Sequence, residues 1–300
     1  MRVRKYPPRE MLPELKNAEW VDASRRPYVR GTDAFIPVKE GGYDADSVLA
    51  EKTPYAGRGY QMLGDVAILH GTPPTPEEIT GICDWLHPRG GIVYISGYTG
   101  EKRIPPAASL VYGECGEVCH HEAGFVFYLD PPLKVMFAMG NREEKTRISG
   151  GVIRASKKDP PIRCADMFAG IGYFTIPAAV SGATVHAMEI NPDSFSYLEK
   201  NIAANGVGPM VTPEHGDCRD CLRGVYDHIL MGHFDAPAFL SDACAHVRSG
   251  SVLHVHTVGE QSEEIARCCA EAGYATEIIP YRVKKYAPGV WHMVHDVMIQ

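Results

Sequence analysis

Asp166-Met-Phe-Ala-Gly-Ile-Gly172 closes an apolar run with two glycines one residue apart. Glycines at such a place let the backbone come close to a ligand. A helix that starts directly after them favours an anionic group, such as a carboxylate, at its N-terminus. Glu189 ends the next apolar run, where a carboxylate can accept hydrogen bonds from two adjacent hydroxyls. Asp217, in Gly216-Asp-Cys218, follows a third run. Two cysteine groups invite a metal reading, Cys218-x-x-Cys221 and Cys115-x-x-x-Cys119-His120-His121. A zinc site needs about four converging ligands, and neither group has a second half at finger spacing. No metal is expected, and the thiols read as buried or idle.

The elements around these residues alternate. From Ile162 onward, strands are predicted at Arg163–Asp166, Thr184–Glu189, Val211–His215, His228–Met231, Ser251–Val258, Thr276–Val283 and Val290–Ile299. Helices are predicted at Tyr173–Ser181, Pro192–Asn205, Pro237–Val247 and Ser262–Ala272. Strict alternation is the mark of a parallel sheet with helices on both faces. The last two strands have no helix between them and join through Lys284 to Gly289 as a hairpin. The expected fold is α/β, a Rossmann-like class I S-adenosylmethionine-dependent methyltransferase domain preceded by a smaller α+β domain. The glycine turn, Glu189 and Asp217 then stand at three successive strand ends, where such sheets bind ligands. A dinucleotide fingerprint needs a third small residue, but Gly170-x-Gly172 runs into Tyr173-Phe-Thr175. The set fits S-adenosyl-L-methionine: Gly170 and Gly172 for the methionine carboxylate, Glu189 for the ribose, Asp217 for the adenine amino group.

The 300 residues suffice for one large domain or two ordinary ones. Residues 1–56 are rich in Pro, Arg and Gly with weak periodicity; residues 57–150 read as short strands and one helix; residues 151–300 form the cofactor domain. In the middle part, Gly64–His70, Gly91–Ser96, Glu117–His121 and Gly124–Leu129 are strand-like. Pro76–Leu86 follows Thr75, a good N-cap, and reads as a helix. The net charge of −7 excludes a globally basic protein. Any nucleic-acid surface must be local, as at Arg2/Arg4/Lys5, Arg25/Arg26/Arg30, Lys157/Lys158 or Arg282/Lys284/Lys285. Nine scattered cysteines do not make a disulfide framework. No run has the roughly 20 apolar residues of a membrane span, and the N-terminus lacks a signal peptide core, so a cytoplasmic protein is expected.

With these residues in place, the chain resembles a family of tRNA-modifying class I methyltransferases, the tRNA guanine-N1 methyltransferases and wybutosine-synthesis transferases. Asp166–Gly172 and Ala187-Met-Glu-Ile-Asn-Pro192 are similar to its cofactor motifs. Phe137-x-x-x-Asn141-x-x-Glu144-Lys145-x-Arg147 resembles its F-S-x-x-N-x-x-E-R-x-R segment. Gly64-Asp-Val-Ala-Ile68 and Gly97-x-x-x-x-x-Arg103-x-Pro105 resemble its middle domain. One branch methylates N1 of the guanosine 3′ to the anticodon and carries N-P/L-P after the fourth strand. The other transfers the 3-amino-3-carboxypropyl group to the tricyclic base made from that guanosine.

Here the segment is Met231-Gly232-His233-Phe234, which looks like the second branch. So do Val252-Leu-His-Val-His256 and Lys285-Tyr-Ala-Pro-Gly-Val-Trp-His292. The resemblance implies S-adenosylmethionine as cofactor and tRNA as partner, at the anticodon loop of tRNA(Phe), with the enzyme a monomer that needs no membrane. It implies cofactor contacts at Ala138, Lys145, Arg147, Asp166, Phe168, Gly170, Gly172, Glu189, Ile190, Asp217, Cys218, Met231 and Gly232. It implies Glu144, Arg103 and His233 at the chemistry: Glu144 taking a proton or orienting the amine, Arg103 binding phosphate or base, His233 contacting the base. Two positions depart from the family. Ala138 replaces a serine, and Lys145 replaces an arginine, keeping the charge but losing the planar fork.

Overall fold

A computed structural model describes residues 2–6, 18–24, 28–30, 33–48, 55–86, 90–96, 108–130, 141–152 and 161–300, with single positions 15, 88 and 135. The chain divides into two compact units, Met1–Gly57 with Thr80–His87, and Arg58–Ile79 with Pro88–Gln300. The first holds an antiparallel sheet of β1 (Arg2–Tyr6), β2 (Tyr28–Arg30), β3 (Asp33–Pro37) and β4 (Ser47–Val48), ordered β2-β3-β1-β4. Val3 and Phe35 are buried on one face of it and Ala34 and Ile36 on the other. Strands of two to five residues are too short to print an alternation on the sequence, which is why residues 1–56 read as aperiodic. The helix Pro76–Leu86 starts at a reciprocal cap. Thr75 Oγ1 accepts from the Glu78 N–H (3.3 Å), and a Glu78 carboxylate oxygen accepts from the Thr75 N–H (2.9 Å).

In the second unit, β5 (Gln61–Leu63), β6 (Val66–His70), β7 (Ile92–Ile95) and β8 (Ala108–Tyr112) make a sheet in sequence order. The strand predicted from Gly64 begins at Val66, because Gly64 (φ +54°) turns the β5–β6 hairpin. β9 (Val118–Glu122) and β10 (Phe125–Leu129) form a separate hairpin. Its two turn residues, Ala123 and Gly124, both have positive φ, the geometry that matches strand twist.

The larger sheet contains β11 (Arg163–Asp166), β12 (Thr184–Glu189), β13 (Val211–His215), β14 (His228–Met231), β15 (Val252–Val258), β16 (Thr276–Ala287) and β17 (Val290–Ile299). Its order is β13-β12-β11-β14-β15-β17-β16, parallel except for the pairs made by β17. A parallel sheet closed by an antiparallel last pair is what the alternation and the final hairpin predict. Consecutive residues serve opposite faces: Cys164 and Leu230 join one apolar core, Ala165, Ile229 and Met231 the other. The first core packs under the helices Thr175–Val180 and Pro192–Ala204, the second under Leu240–Cys244 and Ser262–Glu271. Both edge strands carry a proline, Pro213 in β13 and Pro280 in β16, where a missing N–H costs no ladder bond.

Two expectations shift. The helix predicted at Pro237–Val247 is a 3-10 turn, Ala236–Phe239, followed by Leu240–Cys244. β16 runs on to Ala287, its pairing with β17 shifting register between Arg282 and Lys284 and again between Lys285 and Ala287, as β-bulges do. Among the described residues no helix is long and apolar enough to cross a membrane.

Two asparagines one turn apart on Pro192–Ala204 and its C-cap imitate a neighbouring strand. Asn201 accepts from the Tyr128 N–H (2.6 Å) and donates to the carbonyls of Tyr128 (3.0 Å) and Ile171 (2.9 Å). Asn205 accepts from the Val126 N–H (3.0 Å) and donates to the Val126 carbonyl (2.7 Å). The β9–β10 hairpin is thereby docked on the helix, and Asn201 also grips the loop after β11. Replacing fully buried Asn201 by leucine leaves the Tyr128 N–H and the Ile171 carbonyl unsatisfied. Asn201→Leu is expected to lower unfolding stability by about 2–4 kcal/mol, read from the denaturant midpoint at unchanged slope.

Candidate functional site

At the carboxyl ends of β11 to β14 lies a cavity of about 370 Å³, within the roughly 300–1,000 Å³ usual for small-molecule sites. Phe168, Gly170, Glu189, Ile190, Asp217, Cys218, Gly232 and His233 all line it, so eight of the residues singled out in the sequence meet at one place. Gly170 sits at φ +58°, and its N–H donates to a Glu189 carboxylate oxygen at 2.7 Å. Gly172 (φ +104°) lies behind the wall, where a Cβ would come within 2.8 Å of Ile176.

Glu189 also accepts from the Asn191 N–H at 2.7 Å. Each carboxylate oxygen thus holds one backbone donor and keeps a lone pair for a hydroxyl, which is what a ribose diol needs. Burial raises its pKa, against the backbone donors that lower it. Asp166 is fully buried beneath the glycine turn, accepting from the Thr175 hydroxyl (2.7 Å) and weakly from the Phe168 N–H (3.4 Å). Desolvation pushes its carboxyl up to about 6, with the Glu189 charge adding to the rise. It shapes the loop rather than touching the cavity. Asp217 caps the short helix Cys218–Cys221 and is held low by the Arg219 guanidinium, whose Nε donates to it at 2.9 Å. The Cys218 thiol, pushed up to about 12 by burial, stays neutral.

β14 ends against two aromatic contacts. Met231 points into the core on the far side and presents nothing to the cavity. Gly232 does line it, and its Cα faces the Phe174 ring. His233 lies 5.4 Å, centroid to centroid, from Phe168, which meets Phe239 edge-on at 5.1 Å. The Asp235 N–H donates to His233 Nδ1 (3.1 Å), so the neutral ring carries its proton on Nε2.

The charged segment falls elsewhere. Lys145, fully buried, pairs with Glu122 and lies 5.1 Å from the ring centres of Phe127 and Tyr173. Desolvation lowers its pKa, with Glu122 opposing. Arg147 donates through Nε and Nη2 to the two Glu144 oxygens, both at 2.7 Å, and through Nη1 and Nη2 to Asp296 at 2.5 and 3.0 Å. Lys145 and Arg147, expected to contact the cofactor, therefore hold protein carboxylates instead. Glu144, expected at the chemistry, is forked by Arg147 and lines no part of the cavity. Buried charges demand such partners. Arg103 and Ala138 lie outside the described residues, as do Arg25, Arg26, Lys157 and Lys158.

Sequence reasoning passed over Asn141, Phe174, Arg219 and Phe239, which all line the cavity. Asn141 Oδ1 is buried and has no hydrogen-bond partner among the described residues. An acceptor left open beside the glycine turn suits the ammonium of a methionine arm. Asn141 had a signal in its motif; Phe174, one residue before a helix, had none. The donor set, the open acceptor and the cavity size fit S-adenosylmethionine.

Because the Asp166 carboxyl is raised, it stabilises the fold below its unfolded pKa near 3.8 and loses that contribution as pH rises through about 6. The stability of Asp166→Asn relative to wild type is expected to climb by on the order of 2–3 kcal/mol between pH 4 and 7. A flat difference across that window would remove the raised carboxyl. Glu189→Ala is expected to abolish cofactor binding in calorimetry, and unchanged binding would remove the ribose role.

The TRM5/TYW2 methyltransferase domain profile matches residues 118–278. A Methanocaldococcus jannaschii protein named tRNA(Phe) (4-demethylwyosine(37)-C(7)) aminocarboxypropyltransferase is 34% identical over 258 residues, covering 81% of this chain and 99% of that protein. Two solved structures are similar. One is M. jannaschii TYW2 in complex with AdoMet (TM-score 0.62, 29% identity, covering 81% and 99% of the two chains). The other is Pyrococcus horikoshii TYW2 in complex with MeSAdo (TM-score 0.67, 27% identity, 81% and 90%). Sheet order, strand-end carboxylates and chain-long similarity agree, and the chain belongs to the TRM5/TYW2 family of S-adenosylmethionine-dependent tRNA-modifying enzymes.

Proposed function

We propose that this chain transfers the 3-amino-3-carboxypropyl group of S-adenosyl-L-methionine to 4-demethylwyosine, the tricyclic base 3′ of the anticodon of tRNA(Phe), releasing methylthioadenosine. The observation that carries the reading is the similarity to an aminocarboxypropyltransferase over 99% of that enzyme's length. Gly232 at the β14 end supports it, since no side chain there can read a guanine edge. When bound, the sulfonium supplies an electrophilic γ-carbon: a carbon–carbon bond forms to the base, the carbon–sulfur electron pair leaves on sulfur, and the ring carbon loses its proton.

The chain's own residues bind and orient. Glu189 takes the ribose, Asp217 the adenine side, and the Gly170 turn with Asn141 the polar end of the methionine arm. His233 offers its Nε2 proton toward the base. Glu144, Lys145 and Arg147 act as positioning residues, because their charges are already paired.

The anticodon loop has a surface suited to it beside the cavity. Arg282 and Lys285 lie over the Trp291 ring, at 5.2 and 6.0 Å from its centre. Tyr286 meets Phe234 edge-on at 5.3 Å, and Phe234 follows His233. Bases stack on such aromatics while the cations track phosphates. Arg103 is expected to add a phosphate or base contact, and the enzyme to act as a cytoplasmic monomer. Sedimentation well above 32.9 kDa would remove the monomer.

Incubation with S-adenosylmethionine and tRNA(Phe) carrying 4-demethylwyosine tests the activity. Methylthioadenosine is the expected by-product. S-adenosylhomocysteine would instead make the enzyme a methyltransferase of the guanine-N1 branch. Arg282→Ala with Lys285→Ala is expected to weaken tRNA binding and flatten its salt dependence while leaving cofactor affinity unchanged.

A further inference from the structure

The Asp217 carboxylate, just after β13, is nearly saturated by one residue. Its Oδ1 accepts from the Arg219 backbone N–H at 3.0 Å and from Arg219 Nε at 2.9 Å. Its Oδ2 accepts from Arg219 Nη2. A carboxylate has about four acceptor positions, two on each oxygen. Among the described residues three are filled, and one on Oδ2 stays open. The Arg219 fork also holds the Asp217 carboxyl below its usual range, against burial, and so keeps it ionised. Both residues line the cavity.

Arg219 is held from a second side. Its guanidinium lies over the Phe239 ring, 5.2 Å from the centre, and Phe239 meets Phe168 edge-on at 5.1 Å. Both rings belong to the cavity wall. A guanidinium stacked on a ring keeps its planar fork in one orientation, and a lysine has no fork to keep. The Arg219 side chain is 51% exposed. An ion pair that open adds little to stability, so the fold does not depend on it. What the pair does fix is the face that Asp217 shows to a ligand.

We propose that Arg219 is a positioning residue that gives the cofactor pocket its selectivity for a 6-amino purine over a 6-oxo purine, acting through Asp217. The proposal rests on the adenine role of Asp217 proposed above. A carboxylate free to rotate or to take up a proton tolerates an acceptor on the ligand. Pinned and ionised, it offers one lone pair and no proton. It then accepts from an N–H and repels an oxygen, which is specificity by an unfavourable contact with the wrong ligand. Adenine has an amine at C6 and hypoxanthine an oxygen, so the two purines meet opposite responses at the same atom. Arg219 sets that response without touching the reacting carbon.

Calorimetry with methylthioadenosine and methylthioinosine, its 6-oxo counterpart, tests this apart from turnover. The wild-type chain is expected to prefer methylthioadenosine by about thirtyfold or more. Arg219→Ala is expected to cut that preference at least about fivefold, and Arg219→Lys, which keeps the charge without the fork, to fall between the two. If Arg219→Ala does not fold, Arg219→Gln is read in the same way. Both affinities falling in step, or neither changing, leaves the preference intact and overturns the role of Arg219. Asp217→Asn tests the assignment beneath it, because its amide can turn an N–H toward an oxygen. That variant is expected to lose the preference or reverse it. A wild-type chain without preference, or Asp217→Asn that keeps it, overturns the adenine role of Asp217. A preference that Asp217→Asn removes and the Arg219 variants retain overturns the proposal for Arg219 alone.

Discussion

The Asn201 carboxamide is the interaction on which the rest of this site depends. One buried group bonds the β10 backbone, the carbonyl of Ile171 between the two loop glycines, and, through its own helix, the strand end that bears Glu189. A backbone amide and a carbonyl need partners wherever they are buried. Asn201 satisfies both at Tyr128 and keeps one N–H for the loop. The position of the glycine turn is therefore tied to a hairpin whose strands precede it by some forty residues in sequence. Without that tie, Gly170 would not bring its N–H to Glu189, and the carboxylate would lose part of what holds it.

A second polar chain fixes the segment that carries Asn141. Arg147 joins Glu144 to Asp296, Asp296 accepts from His254 at 2.7 Å, and His254 meets His228 at 2.9 Å. Against burial, which raises it, the His254 bond and the Arg147 guanidinium hold the Asp296 carboxyl well below the usual range. Because Asp296 is on β17, His254 on β15 and His228 on β14, the short helix Arg142–Arg147 is bolted to the sheet that forms the cavity floor. Charges in this segment act as framework, and its uncharged residue Asn141 lines the cavity.

How far the site was legible follows from these distances along the chain. The glycine turn and Glu189 are local signals, each written on one strand end, and the strand–helix alternation around them is strong. Asp296 as the partner of Arg147 was not legible, since 149 residues separate the two. The same holds for Glu122 with Lys145. A lone Arg or Lys in a cofactor motif reads as a ligand until its carboxylate is found. Gly232 was noticed for the amide it does not supply. Its steric reason, the Phe174 ring, needed the packed structure. The short strands of residues 1–56 left no periodic trace, and the 3-10 turn at Ala236–Phe239 interrupts a pattern that looked continuous.

β17 has one more consequence. It is synthesised after both of its neighbours, yet lies between β15 and β16. Whatever order the other elements adopt as the chain emerges from the ribosome, β15 keeps an open edge, Val252–Val258, until the final hairpin slots in. Asp296 arrives with that strand, so the His254 and Arg147 bonds form in the same event. Completion of the sheet and pairing of Arg147 with Asp296 are thereby tied to the same strand.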